Sequence, residues 1–342
     1  MQVADKKYVI QIMWHLNDEC NLRCTHCYDE KKFKSLTPID RWSFQCNVID
    51  RIVELGQYYN IIRVGLLGGE PLFDPNIFRI IAKLREKGIA RIDISTNGIL
   101  VTSSFACQLK NAGIQLIQVS LDGPNPKVND VIRGNGNFSK ALPGLRNLVA
   151  AGIETGIMTT VYHDNLHHME EMVKLAAREK LKIISFNRFL PIGRGKKSKL
   201  QPLTDQELKQ MITLVHQLDK QYLGLDVSSD DPLLYVPVGS YAGSNNTCGG
   251  CGAGIGNLAI CHDGTVFPCR RLPIAVGNIQ KISLLDIINS QQMDCFYSRH
   301  SFLEGKCGAC QHQSICGGCR AAAYAFTSNH LGSDPQCWLN AT

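Results

Sequence analysis

The sequence lacks a long hydrophobic run, because no stretch of about 18 apolar residues occurs in it. This lack argues against a membrane-spanning helix. The first residues also lack the charged segment, apolar core and small-residue cleavage site of a secretory signal. We therefore expect a cytoplasmic protein with no membrane partner.

A large excess of positive or negative charge is absent as well. Lys and Arg number 36 against 30 Asp and Glu, which gives a net charge of +6. The basic residues are scattered along the chain, so the pattern argues against a nucleic-acid partner. The small positive excess is compatible with an anionic substrate or an acidic electron donor.

Cysteine, in contrast, is abundant. The chain has 15 cysteines, an odd number, and a reducing compartment disfavours a disulfide framework. Metal or cluster ligation is the natural alternative, since the cysteines are concentrated near residues 20–27 and 248–337. Cys46, Cys107 and Cys295 stand outside any ligand spacing and are interpreted as small buried hydrophobic residues.

Strand-like and helix-like segments alternate six times between Tyr8 and Tyr222. This pattern predicts a parallel sheet with helices outside it. Periodicity alone does not distinguish an open doubly wound sheet from a partial barrel. In both folds, ligands bind at the carboxyl ends of the strands.

The composition changes after residue 222, where Gly, Asn, Cys and Ser increase and the helical pattern nearly stops. A chain of 342 residues suggests about two domains. We therefore predict one domain over residues 1–222 and a small, loop-rich domain over residues 223–342. Metal ligation would stabilise the second domain, which has little apolar sequence.

A close group of cysteines follows the first predicted strand. Cys20, Cys24 and Cys27 have the spacing C-x3-C-x2-C. Three thiolates can hold three irons of a [4Fe–4S] cluster and leave the fourth iron open to a ligand. A zinc knuckle is disfavoured, because no fourth ligand lies at the usual spacing and His26 falls inside the motif.

This spacing resembles the signature of the radical S-adenosylmethionine (SAM) superfamily, with His26 at its aromatic position and Tyr28 after the last cysteine. The resemblance implies a partial (β/α)6 TIM-type barrel. It also implies that Cys20, Cys24 and Cys27 form the catalytic metal site. In this family SAM chelates the open iron, and one electron cleaves it to methionine and a 5′-deoxyadenosyl radical that abstracts hydrogen from the substrate.

Three further motifs match the family, each after a predicted strand: GGEP, STNG, and a serine with Asp-Gly and a later arginine. A carboxylate suits the methionine ammonium, and glycines allow close backbone approach. The resemblance implies these SAM-binding residues: His26, Tyr28, Gly68, Gly69, Glu70, Ser95, Asn97, Ser120 and Arg133.

The C-terminal cysteines resemble the SPASM extension, which binds two auxiliary [4Fe–4S] clusters, so the resemblance implies three clusters in all. One auxiliary set would be Cys307, Cys310, Cys316 and Cys337. The other would be Cys251, Cys269 and Cys319, with Cys248 as fourth ligand, Cys261 as the competitor, or an open site. The sequence departs from the usual SPASM spacing at one place, because two residues instead of three separate Cys316 from Cys319. A zinc ribbon is the alternative, since C-x2-C pairs also suit zinc.

The substrate is less clear from the sequence. The leading hypothesis is a maturase that oxidatively modifies a ribosomally made peptide. The alternatives are oxidative decarboxylation of a tetrapyrrole, a small-molecule enzyme acting on a sugar or amino acid, and a non-enzymatic electron carrier. The segment ending in CGGCRAAAYAFTSNHLGSDPQC is similar to both haem-pathway and cofactor-precursor peptide enzymes.

A basic segment after the sixth strand would recognise carboxylates or form a solvated loop, and its first arginine could instead bind SAM. Its members are Arg188, Arg194, Lys196, Lys197 and Lys199. The family implies flavodoxin or ferredoxin as electron donor. Strand one opens the chain without a preceding winged helix that would bind a leader peptide, which weighs against the peptide hypothesis unless a separate protein supplies that role.

Overall fold

The structure, a computed structural model, describes residues 9–29, 38–238 and 250–339. Its centre is a ten-stranded sheet in the order β10-β9-β8-β1-β2-β3-β4-β5-β6-β7. The strands are β1 Val9–His15, β2 Asn60–Leu67, β3 Ile92–Thr96, β4 Leu116–Ser120, β5 Glu154–Val161, β6 Ile183–Arg188, β7 Asp226–Ser228, β8 Asn257–Ile260, β9 Thr265–Phe267 and β10 Gly277–Asn278.

Strands β1 to β6 pair in parallel and in sequence order, so the six predicted strand–helix units are confirmed. Parallel strands are covered on both faces, which explains their nearly continuous apolar sequence. The sheet curves around an interior cavity that receives side chains from every strand between β1 and β7. Among these are Met13, Asp93, Gln118, Met158, Ser185 and Ser228.

The helices pack outside the sheet. They are α1 Pro38–Leu55, α2 Ile77–Glu86, α3 Ser103–Asn111, α4 Pro126–Arg133, α5 Asn137–Ala150, α6 Met169–Arg178, α7 Asp205–Gln221, α8 Leu284–Ile288, α9 Gln291–Tyr297, α10 Gly305–Gly308 and α11 Arg320–Thr327. Helix α7 shows why they form: Thr204 and Glu207 make a reciprocal capping box, and an apolar stripe including Leu208 and Val215 is buried.

Helix α4 was not predicted from the sequence. Its eight residues are too few for a clear periodic pattern, but the side chain of Asn125 accepts a hydrogen bond from the Val128 N–H, and Pro126 occupies the first turn. Short 3-10 helices at Pro71–Phe73, His163–His168, Gly193–Lys197, Pro232–Tyr235 and Arg299–Ser301 connect the larger elements.

The C-terminal part extends the barrel sheet at one edge. Strand β8 pairs in parallel with β1, and β9 and β10 continue in antiparallel pairing. At the other edge β7 pairs with β6, so the sheet continues past residue 222. The division into residues 1–222 and 223–342 stays a prediction.

The three isolated cysteines are not buried as expected. Cys107 is exposed, and Cys46 and Cys295 are half-buried, although Cys295 packs against the hydrophobic core. None of the helices within the described ranges combines the length and apolar character needed to cross a bilayer.

Candidate active site

The loop after β1 carries Cys20, Cys24 and Cys27 at the carboxyl end of the sheet. The segment after β6 holds this loop in place: the Gly195 N–H donates to the Cys27 carbonyl at 3.3 Å, and Arg194 Nη1 donates to the Cys24 carbonyl at 3.0 Å. Arg194 therefore positions the cysteine loop. The sequence had suggested only that this basic segment recognises carboxylates.

The two glycines after β2 permit the backbone to lie against the same loop. Gly68 has a φ of +149°, and a Cβ there would lie 2.7 Å from the Asn17 carbonyl oxygen. A Cβ at Gly69 would clash with the Glu19 carbonyl. Hydrogen bonds from the Gly69 and Glu70 N–H groups to Asn17 and Glu19 join the two loops at 2.9 and 2.6 Å.

Glu70 is buried, and its carboxylate is held by three donors. Oε1 accepts from the Thr96 hydroxyl at 2.6 Å and from the Leu72 N–H at 3.2 Å, and Oε2 accepts from the Asn97 N–H at 2.8 Å. Burial raises the pKa of Glu70, while these hydrogen bonds oppose the rise. The carboxylate is thus fixed at the wall of the site by the end of β3.

Asn97 makes a second link from β3 to the cysteine loop. Its Nδ2 donates to Asn21 Oδ1 at 2.6 Å, and its Oδ1 accepts from the Ile99 N–H at 3.0 Å. The STNG segment therefore braces both Glu70 and the cysteine loop. Thr96, which was not predicted as a site residue, contacts Glu70 through its side-chain hydroxyl.

Asp122, after β4, organises the third group. One carboxylate oxygen accepts from the Thr160 N–H at 2.8 Å, and the other lies 2.7 Å from Arg133 Nε and 3.4 Å from His26 Nε2. Burial lowers the pKa of His26 to about 4, so its ring is neutral near pH 7. Asp122 aligns Arg133 and His26 but was recognised in the sequence only as part of a motif.

All of the predicted SAM-binding residues line one cavity of about 190 Å³. The members are Cys20, Cys24, His26, Cys27, Tyr28, Gly68, Gly69, Glu70, Ser95, Asn97, Ser120 and Arg133. The predicted convergence at the carboxyl ends of the strands is therefore seen in the structure. Their contacts with SAM stay a prediction.

A second cavity, of about 240 Å³, lies inside the curve of the sheet and is rich in charged groups. Arg63 lies 3.5 Å from Asp93, and Arg270 Nη2 donates to Asp230 at 3.2 Å. Met158 and Arg270 line both cavities, so the two spaces adjoin.

One set of C-terminal cysteines surrounds a small cavity of its own. Cys307, Cys310, Cys316 and Cys337 all line it. Burial raises the pKa of the Cys337 thiol to about 11, and Cys307 and Cys310 are close enough to raise it further. The four cysteines assigned from the sequence to one auxiliary cluster are thus neighbours.

The other set is also gathered. Burial raises the pKa of both Cys269 and Cys319, and Cys251 is close enough to each to contribute. Burial, followed by Asp263 and Asp29, raises the pKa of the Cys261 thiol, and Cys251, Cys269 and Cys319 are not among the causes. The fourth ligand stays a prediction. Cys248 lies outside the described residues.

The cysteine sites fit iron–sulfur clusters in their donor chemistry. Backbone N–H groups point at sulfur: Leu22 at Cys20, His312 at Cys310 and Gly318 at Cys316, at 3.3 to 3.4 Å. Such bonds stabilise thiolate ligands of clusters. Within the described ranges, no three His, Cys, Asp or Glu side chains converge on a point for a single metal ion. A [4Fe–4S] cluster is larger than a single metal ion, so its cysteine ligands lie farther apart.

Arg188 has partners that the sequence did not indicate. It is fully buried, with Nε 2.7 Å from Asp231 and Nη2 2.5 Å from Asp334. Nη1 also donates to Gln336 Oε1 at 3.1 Å. Its donors are therefore engaged in joining β6 to the C-terminal part. Arg188 also lines the first cavity, so its recognition of a carboxylate or of SAM stays a prediction.

Arg270 and Arg271 were missed in the sequence, although they directly follow Cys269. Both line the first cavity. Burial opposes the charge of Arg271, but Cys319, Cys269 and the carboxylates of Asp230 and Asp231 together outweigh burial and raise its pKa. Their position next to a ligand cysteine is the signal that could have found them.

Comparison with known families agrees with this geometry. The family model described as Radical SAM superfamily matches residues 15–176, and the SPASM model, an iron-sulfur cluster-binding domain, matches residues 251–319. The thiols at the carboxyl edge of a parallel sheet thus define an iron–sulfur enzyme. The chain belongs to the radical SAM superfamily, in the group that carries a SPASM domain.

Two relatives show the range of this group. The AdoMet-dependent heme synthase of Nitratidesulfovibrio vulgaris is 29% identical over 95% of this chain and 91% of its own length. The mycofactocin maturase MftC of Mycobacterium tuberculosis is 30% identical over 96% and 82%. The crystal structure of Streptococcus suis SuiB bound to S-adenosylmethionine has the same fold, with a TM-score of 0.77, 19% identity and coverage of 97% and 78%.

Proposed function

We propose that the protein cleaves SAM at the Cys20–Cys24–Cys27 site and oxidises a substrate held between that site and the auxiliary cysteines. These three cysteines would hold a [4Fe–4S] cluster, which would supply the electron for cleavage of SAM to methionine and a 5′-deoxyadenosyl radical. Two further clusters would be held by the two sets of C-terminal cysteines. The chain's own residues bind SAM, position it and exclude water.

Each part of SAM has a residue suited to it. The wall that contains Glu70 and the backbone of Gly68 and Gly69 suits the methionine ammonium, since a fixed buried carboxylate favours a cation. Arg133, aligned by Asp122, suits the methionine carboxylate. Ser95 and Asn97 line the same cavity and offer hydroxyl and amide groups of the kind that hydrogen-bond the hydroxyl groups of a ribose.

A single observation carries the oxidative part of the proposal. Arg271 lines the same cavity as the SAM-binding residues and lies close to the predicted auxiliary ligands Cys269 and Cys319. Asp230 and Asp231 are also near it. A substrate in this cavity would therefore lie beside both the SAM site and a group that can accept an electron. Oxidation of the substrate requires a nearby electron acceptor once a hydrogen atom has been abstracted from it.

For the substrate we propose a ribosomally made peptide. The interior cavity next to the SAM site contains several charged side chains, including Arg63, Asp93 and Asp226, with polar groups such as Gln118 and Ser185. Such a lining suits polar peptide groups better than the broad apolar face of a macrocycle. The maturase relative supports this choice.

A tetrapyrrole is the second candidate, because the AdoMet-dependent heme synthase covers nearly the whole chain. Its propionates would meet the arginines at the junction of the two cavities. The peptide and tetrapyrrole hypotheses share one chemical feature, a carboxylate on the substrate.

The test begins with anaerobic reconstitution. We expect about twelve irons per chain, four for each cubane, and 5′-deoxyadenosine formation under dithionite. A short peptide encoded by a neighbouring gene should raise that formation above the substrate-free rate. A rise with iron-coproporphyrin III instead would favour the second candidate, and about four irons with bound zinc would refute the auxiliary-cluster assignment.

A further inference from the structure

Three arginines meet where the SAM-side cavity borders the auxiliary cysteines, and they differ in their partners. Arg188 is engaged by Asp231, Asp334 and Gln336. Arg270 donates to Asp230 at 3.2 Å. In the part of the chain that the structure describes, the Arg271 guanidinium has no hydrogen bond or ion pair at contact distance, although it lines the cavity.

The acidic groups near Arg271 are committed elsewhere. The carboxylate of Asp231 lies 2.7 Å from Arg188 Nε, and that of Asp230 accepts from Arg270. The backbone N–H of Arg271 donates to Cys269 Sγ at 3.5 Å, which fixes the residue beside a cluster ligand. The backbone of Arg271 is thus held beside Cys269, and the donors of its guanidinium are available to the cavity.

A second buried arginine shows what a purely structural role looks like in this molecule. Arg320 also contacts a ligand cysteine, with Nη2 3.4 Å from Cys307 Sγ. Its Nη1 donates to the carbonyls of His330 and Gly332 at 2.7 Å, and its Nε donates to Gly318. All three nitrogens of Arg320 are used by the protein, whereas those of Arg271 are not.

We propose that Arg271 binds a carboxylate of the substrate and so places the substrate between the SAM site and the cluster held by Cys251, Cys269 and Cys319. The planar fork of a guanidinium matches a carboxylate with two parallel hydrogen bonds. Arg270, next to it at the mouth of the interior cavity, adds positive charge. The ligand class is a carboxylate, either from a peptide or from a porphyrin propionate. This inference rests on the proposed function, since it names the substrate group bound at the same site.

The test measures dissociation constants of matched probes on the reconstituted enzyme with SAM. The peptide pair is N-acetyl-Ala-Ala and its C-terminal amide, and the porphyrin pair is coproporphyrin III and its tetramethyl ester. Each is titrated against the wild type, Arg271→Lys and Arg271→Gln. Arg178→Gln is the matched control, because Arg178 is an exposed arginine that pairs with Glu179 far from the cavity.

For at least one pair, the wild type should bind the carboxylate at least about tenfold more tightly than the neutral partner, and Arg271→Gln should remove that preference. Arg271→Lys should retain part of it, and Arg178→Gln all of it. The pair that responds identifies the source of the carboxylate. Iron content and the midpoint potentials of the clusters are measured on each variant.

Three results would overturn the inference. The first is equal affinity of the wild type for both members of each pair. The second is an Arg271→Gln variant that shifts only a cluster potential, as loss of a charge-balancing residue would. The third is an Arg271→Gln variant that weakens only the binding of SAM. Failure of the proposed function is separate, because it would appear as no 5′-deoxyadenosine from the wild type, whatever the probes do.

Discussion

The Arg188 network allows a quantitative prediction about how the two parts of the chain are joined. Arg188 and Asp334 are both fully buried, and Asp334 also accepts from the Cys319 N–H at 3.0 Å. Burial alone would raise the pKa of Asp334, but the charge and hydrogen bonds of Arg188 hold this pKa below its ordinary value. Asp334→Asn removes this charge but keeps the shape of the side chain.

Removal of one partner of a buried ion pair costs about 3–5 kcal/mol. Because Asp231 still compensates Arg188, we expect the lower end, about 3 kcal/mol, for Asp334→Asn. Arg188→Met leaves both carboxylates without a counter-charge and should cost more. The double variant should cost less than the sum of the two single variants, since the residues share one network.

The assay is native-state amide hydrogen exchange of the reconstituted enzyme, read on the peptide that contains α11, directly after Cys319. A cost of about 3 kcal/mol corresponds to a loss of protection of about 100-fold. Peptides from α2, on the barrel, serve as the internal reference and should not change.

Asp230→Asn is the matched control, because it is the same substitution at a neighbouring aspartate whose side chain is 57% exposed. An exposed ion pair contributes about 0–1 kcal/mol, so protection should fall by less than about fivefold. If Asp334→Asn changed α11 no more than Asp230→Asn does, the network would not be what joins β6 to the C-terminal part.

Four further outcomes are expected. Cys24→Ala should abolish 5′-deoxyadenosine formation, whereas Cys107→Ala, at an exposed thiol, should not change it. Cys310→Ala should retain some SAM cleavage but stop product formation, which mass spectrometry of both products would show. Glu70→Gln should weaken SAM binding about tenfold, as measured by calorimetry. The two carboxylate oxygens of Glu70 accept three hydrogen bonds, whereas an amide has only one oxygen that can accept. Gly69→Ala should lower the iron content, because its methyl group would clash with the cysteine loop.

Much of the fold could be predicted because its signals are local. Each barrel strand is a short apolar run, and most of the helices between them have a periodic apolar face and a recognisable end. The cysteine spacing and the motifs after the strands likewise lie within a few residues of one another. These short-range patterns were sufficient to place Cys20, Glu70 and Asn97 in one cavity.

The features that were missed depend on contacts between distant segments. Nothing local at Arg188 indicates that Asp231 and Asp334 will surround it, so its contacts with the C-terminal part could not be predicted. Thr96 acquires its role from Glu70, on another strand. Arg271 lies in a loop without periodicity, and its access to the cavity follows from how β8 and β9 continue the sheet.

That continuation has a consequence for how the protein is made. Strand β1 is translated long before β8, its partner on one edge. The pairing of Gln11 with Asn257 can therefore form only after residue 257 has been made. Until then the nascent chain presents an open strand edge, which favours pairing with other chains. A chain that ends at residue 222 should therefore aggregate, and truncation anywhere before residue 257 should have the same effect even when every cysteine of the SAM site is present.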